Sequence, residues 1–195
     1  MAELKSHSMT QEVKIPYSKL KIVLVFVGSL GFVAIGVMTL LDEKGLTSLL
    51  YSSETLNKTI GVLSILFFGT IAVTVPWKLL SKNSGIEINE LGIIDHSNLS
   101  SIGLIEWEDI KEIQTHSFKK TSWLLIYTFQ PQKYINKAEN GFKRWLLKSN
   151  IRTYKTPLSI TSTILSVKFK VLEKLVMDAF EEKKALQTNK GESHP

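Results

Sequence analysis

The chain has 195 residues, 44% of them hydrophobic, with no cysteine and a formal charge of +6 from 24 Lys and Arg against 18 Asp and Glu. Without cysteine there is no disulfide, thiolate metal site, thiol nucleophile or thiol redox switch. The positive excess favours anionic partners, nucleic acid and acidic lipid surfaces being the usual two, and its placement along the chain separates them.

Residues 1–21 form a polar N-terminal segment that closes with Lys14, Tyr17, Lys19 and Lys21. Two apolar runs follow. IVLVFVGSLGFVAIGVMTLL, residues 22–41, and TIGVLSILFFGTIAVTVPW, residues 59–77, contain no ionisable group. Either run is long enough to cross a hydrocarbon core of ~30 Å at ~1.5 Å per residue, which predicts two transmembrane helices forming a hairpin over residues 22–77. The connecting loop, 42–58, carries two lysines against three acidic residues, whereas Lys14, Lys19, Lys21, Lys78 and Lys82 flank the hairpin's outer ends. The distribution of positive charge therefore predicts a two-span protein of the cell membrane with both termini cytoplasmic and the loop outside. A cleaved signal peptide fits poorly, because the first run is too long and a second follows.

Gly28 and Gly31 share one face of the first span, and Gly61, Ser64 and Ala72 share one of the second. Small residues at such spacing let backbones approach, so homo-oligomers through these glycines are one reading; the general abundance of glycine in membrane spans is the other. No Asp, Glu, Lys, Arg or His lies inside either run, and ion paths and proton relays need such groups. The hairpin reads as an anchor, with membrane lipids as its surroundings.

From residue 84 the pattern alternates. GIEINELGIID predicts a β-hairpin with Gly92 available for a positive φ, SSIGLIEW a third strand, IKEIQTHS a fourth, and SWLLIYTFQ a central strand apolar on both faces. Pro131 opens a helical stretch over Gln132–Lys148, with Ile135, Ala138, Phe142, Trp145 and Leu146 as an apolar stripe. TPLSIT reads as a short strand. Val171, Leu172, Leu175, Val176, Ala179 and Phe180 mark a closing amphipathic helix over about 165–184, before a polar tail at 185–195. Some six strands, an inserted helix and a closing helix predict an α+β domain over 84–184, an antiparallel sheet or small barrel with a helix across one end.

GLIEWEDIKEI places Glu106, Glu108 and Asp109 around Trp107. If a turn lies at 107–110, Trp107, Ile110 and Ile113 lead the chain through the core and the three carboxylates point to water. Catalytic carboxylate pairs are instead gathered from separate elements, and a metal site needs further ligands, which His96 and His116 do not supply by spacing. No glycine-rich phosphate loop, nucleophile elbow or paired-histidine motif is present. A non-enzymatic chain without cofactor or metal is expected. A small membrane-bound enzyme or metal-responsive sensor using residues 106–109 or His96 is the alternative.

GIEINELGIID, IGLIEWEDIKEI and the terminal amphipathic helix resemble the bacterial pleckstrin-homology-like (PH-like) domains. With IPYSKLKIVL opening the first span, the chain resembles an uncharacterised bacterial family of proteins in which two transmembrane helices precede such a domain. The resemblance spans roughly residues 15–180. It implies a membrane helical hairpin followed by a PH-like antiparallel β-barrel of seven strands capped by a C-terminal helix, without enzymatic activity. Phosphoinositide-binding members use a basic loop between the first two strands; NELG here has an acid and no base, and the inserted basic helix departs from the plan.

Lys133, Lys137, Lys143, Arg144, Lys148, Arg152 and Lys155 stand against Glu139 alone, an excess equal to the whole formal charge of +6. A basic amphipathic helix is the form that lies on a membrane surface, so these seven are the residues expected to bind lipid or a protein partner. A solvated helix whose aromatic face completes the core is the competing reading. Nucleic acid is not expected as a partner, since no strand platform of aromatic and basic residues is evident. The sequence thus predicts an anchored scaffolding module that contacts a protein partner or the anionic leaflet.

Overall fold

A computed structural model describes residues 12–41, 54–77 and 84–191. Most of the predicted external loop, together with Lys78, Lys82 and the end of the tail, lies outside the described residues. The chain divides into two compact units, Tyr17–Lys82 and Met1–Pro16 with Asn83–Pro195.

The first unit holds α1, Lys19–Leu41, and α2, Glu54–Thr74. Both are long and apolar enough to cross a membrane. In their most apolar windows only 22% and 6% of the residues are buried, whereas the core helix of a water-soluble protein is mostly buried. Leu24, Val27, Leu30, Ile35, Met38, Leu63, Leu66 and Phe67 are among the large side chains left uncovered. The few hydroxyls inside the helices satisfy themselves on backbone carbonyls, Thr39 on Ile35 at 2.8 Å and Thr70 on Leu66 at 2.7 Å. Such bonding lets a polar group persist in an apolar medium.

The helices meet at Gly36 and Gly61. A Cβ on Gly36 would stand 3.0 Å from the Gly61 carbonyl oxygen, and one on Gly61 3.0 Å from that of Gly36. Nearby, the Ser64 hydroxyl donates to the Phe32 carbonyl at 3.2 Å, and the Phe32 and Phe68 rings stack at 4.3 Å. Gly61 and Ser64 thus serve the close approach that their spacing predicts, but their partner is Gly36. Gly28 and Gly31 have nothing within 4 Å of the position a Cβ would take.

The second unit begins before the hairpin. Strand β1, Val13–Ile15, pairs antiparallel with β2, Ile86–Ile88, in the register Val13↔Ile88 and Ile15↔Ile86. Strands β3, Gly92–Asp95, and β4, Gly103–Glu106, complete a four-stranded sheet of order β1-β2-β3-β4. A 3-10 turn, Trp107–Asp109, leads into a second sheet of order β5-β6-β7, formed by Ile110–Phe118, Thr121–Thr128 and Leu158–Ile160. Between β6 and β7 lie α3, Pro131–Asn136, and α4, Gly141–Tyr154; the closing helix α5 spans Phe169–Gly191.

Apolar side chains at two-residue spacing fill the interior: Ile15, Ile86, Ile88, Ile93 and Ile105 from the first sheet, Leu124, Ile126, Leu158 and Ile160 from the second. Leu172, Val176 and Ala179 give α5 its buried stripe. Burying each such side chain contributes roughly 1.5–3 kcal/mol before chain entropy is set against it.

The barrel expectation does not hold: the seven strands form two separate antiparallel sheets, and no closed barrel is found among the described residues. The strand missing from the sequence reading is β1, three residues paired with a partner some seventy positions away. Gly92 also differs from expectation. It has no positive φ; glycine is required because a Cβ would lie 2.0 Å from the Ile105 carbonyl oxygen on β4. The turn itself is set by Asn89, whose side chain accepts from the backbone N–H of Leu91 and Gly92 at 2.9 and 3.2 Å.

Candidate functional site

The tryptophan of the acidic motif is structural. Trp107 is buried where the first sheet hands over to the second, its indole N–H donating to the Asn89 carbonyl at 2.8 Å and its ring facing Phe180 of α5 at 6.5 Å. Ile110 and Ile113 are buried as well. The expectation that all three acidic neighbours face water is corrected: only Glu108 is exposed.

Asp109 and Glu106 converge on the ammonium group of Lys133, which donates to Asp109 Oδ2 at 2.6 Å and Glu106 Oε2 at 2.7 Å. The buried Tyr134 hydroxyl donates to the same Asp109 oxygen at 2.7 Å and accepts from the Glu106 backbone N–H at 3.2 Å. Burial pushes the Asp109 carboxyl up, but the hydrogen bonds from Lys133 and Tyr134 outweigh it and hold the group below its ordinary value. Hydrogen bonds to Asp109 and Glu106 raise Lys133. Burial first, then the bond to Asp109, raises the Tyr134 phenol. All three shifts move away from neutrality, so aspartate, ammonium and phenol each keep one protonation state there, unlike a working acid–base pair. The cluster clamps α3 onto the turn between the sheets. Among the described residues no group of three or more His, Asp or Glu side chains could hold a metal ion. His96 lies half-buried at the end of β3, and His116 packs between Trp123 and Tyr154 at ring distances of 5.9 and 5.4 Å.

A second polar knot ties the sheets together. Asp95, 2% exposed, accepts from the Ser97 N–H at 2.8 Å and the Ser101 hydroxyl at 2.6 Å, and Asn98 donates to the Ser159 carbonyl on β7 at 2.7 Å. Burial pushes the Asp95 carboxyl up, and the serine hydrogen bonds offset it only in part.

The seven basic residues separate into two groups. Lys133 is held by Asp109 and Glu106, Lys137 lies 3.7 Å from Glu106 and donates to the Leu104 carbonyl at 3.2 Å, and Lys143 sits 3.5 Å from Glu139. Arg144, Lys148, Arg152 and Lys155 are exposed and, among the described residues, make no ion pair.

The predicted helix over Gln132–Lys148 is broken. After α3 the chain turns, and Asn140 restarts it as an N-cap, its side chain accepting from the Lys143 N–H at 2.8 Å. The restart changes which side faces inward. Ile135 and Ala138 stay buried with Leu147 of α4, and Ile151 packs against them. Phe142 and Trp145 do not join them. They stand 62% and 60% exposed with ring centroids 6.0 Å apart. At helical spacing, Phe142, Trp145 and Arg152 lie on the side of α4 away from the buried Leu147, Lys148 flanks them, and Arg144, although exposed, borders the inward side one turn before Leu147. Sequence reasoning missed this outward aromatic pair; the Asn140-Gly141 start signal inside the apolar stripe was the clue.

The exposed surface of α4 thus combines two large aromatic rings with cations that make no ion pair among the described residues. No protein-family model matches the chain, and neither a curated protein nor a solved structure does.

Proposed function

We propose that this chain is a non-enzymatic, membrane-anchored binding module whose second unit, kin to the PH-like domains, rests on the anionic leaflet through α4. The observation that carries the reading is the exposed surface of α4: Phe142 and Trp145 uncovered, with Lys148 and Arg152 beside them and Arg144 exposed at the border of that surface. Water gives no reason to hold two stacked aromatic rings on the solvent side of a short helix; a lipid interface does.

Three further observations support it. The apolar surfaces of α1 and α2 call for a lipid environment. The ladder between Val13–Ile15 and Ile86–Ile88 supports a hairpin whose two ends lie on one side of the bilayer, and the flanking lysines favour the cytoplasmic side. Seven strands in two antiparallel sheets with a closing helix agree with a PH-like plan, here with its sheets separate. A protein partner seated on the same side of α4 is the other outcome of the test.

The test uses the full chain in lipid nanodiscs and radical footprinting of its own side chains. Phe142 and Trp145 are expected to be protected in discs of phosphatidylcholine with roughly one third phosphatidylglycerol, and labelled freely in phosphatidylcholine alone. Changing Arg144, Lys148 and Arg152 together to Gln removes about 3 kcal/mol of attraction and should abolish the protection. Equal labelling in both lipids would sink the leaflet reading.

A further inference from the structure

The β5–β6 hairpin runs past the rest of its sheet. Strand β7 pairs only with Leu124–Ile126, so beyond that point the ladder from His116↔Trp123 to Phe118↔Thr121 continues with no strand on its other side. Every residue from Gln114 to Thr121 is exposed. At the tip Phe118 is 62% exposed, the Lys119 ammonium lies 5.5 Å from its ring centroid, and Lys120 follows. Lys119 adopts a φ of 54°, a left-handed conformation that glycine or asparagine takes more readily. Neither tip lysine is in an ion pair among the described residues.

The arm is braced. Thr115 bonds Glu173 of α5, and His116, Trp123 and Tyr154 form an aromatic cluster with ring separations of 5.4 to 6.2 Å. Tyr154 ends α4, next to Lys155 and two residues from Arg152. The hairpin therefore stands firmly against the basic end of α4.

We infer that the tip Phe118-Lys119-Lys120 is a second contact for anionic phospholipid, in which the phenyl ring enters the interface and the two ammonium groups meet headgroup phosphates. The same pairing of exposed aromatic and uncompensated cation recurs here on a different element, so the inference rests on the leaflet reading of this chain but not on the residues of α4. Charge complementarity selects the occupant: two cations beside an uncovered ring fit a negatively charged interface.

The chain lacks cysteine, so Thr121→Cys, exposed opposite Phe118 at the tip, gives a unique site for an environment-sensitive fluorophore that leaves the ring in place, and Glu181→Cys on α5 gives a reference. Each full-length variant goes into nanodiscs of phosphatidylcholine, with and without roughly one third phosphatidylglycerol, carrying nitroxide-labelled lipid. Quenching at 121 but not at 181, in the anionic discs only, is expected. Adding Lys119→Gln and Lys120→Gln should lower the docked-to-undocked ratio about 30-fold. Quenching at 121 equal to that at 181 overturns the tip contact, and quenching indifferent to phosphatidylglycerol overturns its charge recognition. Shielding of the 121 label from a water-soluble quencher without lipid quenching points to a protein neighbour and also overturns it. Footprinting of Phe142 and Trp145 in the same discs keeps the two ideas apart: protection there without quenching at 121 removes the tip alone, and loss of both removes the leaflet reading.

Discussion

Asp95 and Asp109 lie fourteen residues apart, on either side of β4, and respond to pH with opposite signs. Asp109 is held below its ordinary value by Lys133 and Tyr134, against the pull of burial. Its contribution to stability is present above the unfolded carboxylate value and lost as pH falls through the lowered folded one. Asp95 is raised by burial, so its contribution is complete below the unfolded value and lost as pH rises through the folded one. Asp95→Asn keeps an acceptor for the Ser97 N–H and buries no charge, while the contact to Ser101 reverses so that the amide NH2 donates to the hydroxyl oxygen. Thermal unfolding should then give an equal or higher midpoint at neutral pH, the gain vanishing below about pH 4. A lower midpoint at neutral pH would show that the carboxylate itself is needed. Two neighbouring changes test the same packing. Tyr134→Phe leaves Asp109 one donor short and should cost about 1–2 kcal/mol in a denaturant titration. Thr128→Val removes a buried hydroxyl that has no hydrogen-bond partner among the described residues and should add about 1 kcal/mol.

Among the elements, the spans were readable from composition because twenty uncharged residues leave few alternatives. Strand β6 declared itself by being apolar on both faces, as the centre of β5-β6-β7 must be. Strand β1 was hidden, since Val-Lys-Ile is too short to show a period and its pairing depends on residues beyond the hairpin. The side chains that cover α4 were misassigned for a different reason. One continuous helix puts Phe142 in phase with Ile135 and Ala138, but the break before Asn140 resets that phase and brings Leu147 and Ile151 inward. Alternation and helical period survive as signals only within an unbroken element. The basic residues were visible as a cluster, but not which of them Glu106 and Asp109 would occupy, because those contacts cross more than twenty positions. In the first unit the position of the helix contact gives a sharp test. Gly36→Leu meets Gly61 and Ile65 and should separate the helices at a cost of about 1–3 kcal/mol, whereas Gly28→Leu meets nothing within 4 Å. Distances between spin labels on α1 and α2 would report the difference; an equal effect at Gly28 would place the crossing elsewhere.

For the whole molecule, the controlling fact is that the second unit is discontinuous in sequence. Ile15, 2% exposed, belongs to its core although α1 and α2 stand between it and β2. Ile15→Asp puts an unpaired charge there and should weaken the unit by about 3 kcal/mol or more. Hydrogen exchange at the amides of Ile86–Ile88 should accelerate; unchanged protection would mean that β1 is dispensable.

That discontinuity also imposes an order on biosynthesis. The ribosome delivers Val13–Ile15 first, then both apolar helices, and only afterwards the Ile86–Ile88 segment that can receive them. On the proposed reading, insertion into the lipid must be finished before the β1–β2 ladder can close. A chain whose second helix failed to return would leave its opening strand stranded across the membrane from its mate. Correct threading of the anchor and completion of the folded part are therefore one event, and a misinserted copy carries an incomplete sheet that quality-control proteases can recognise.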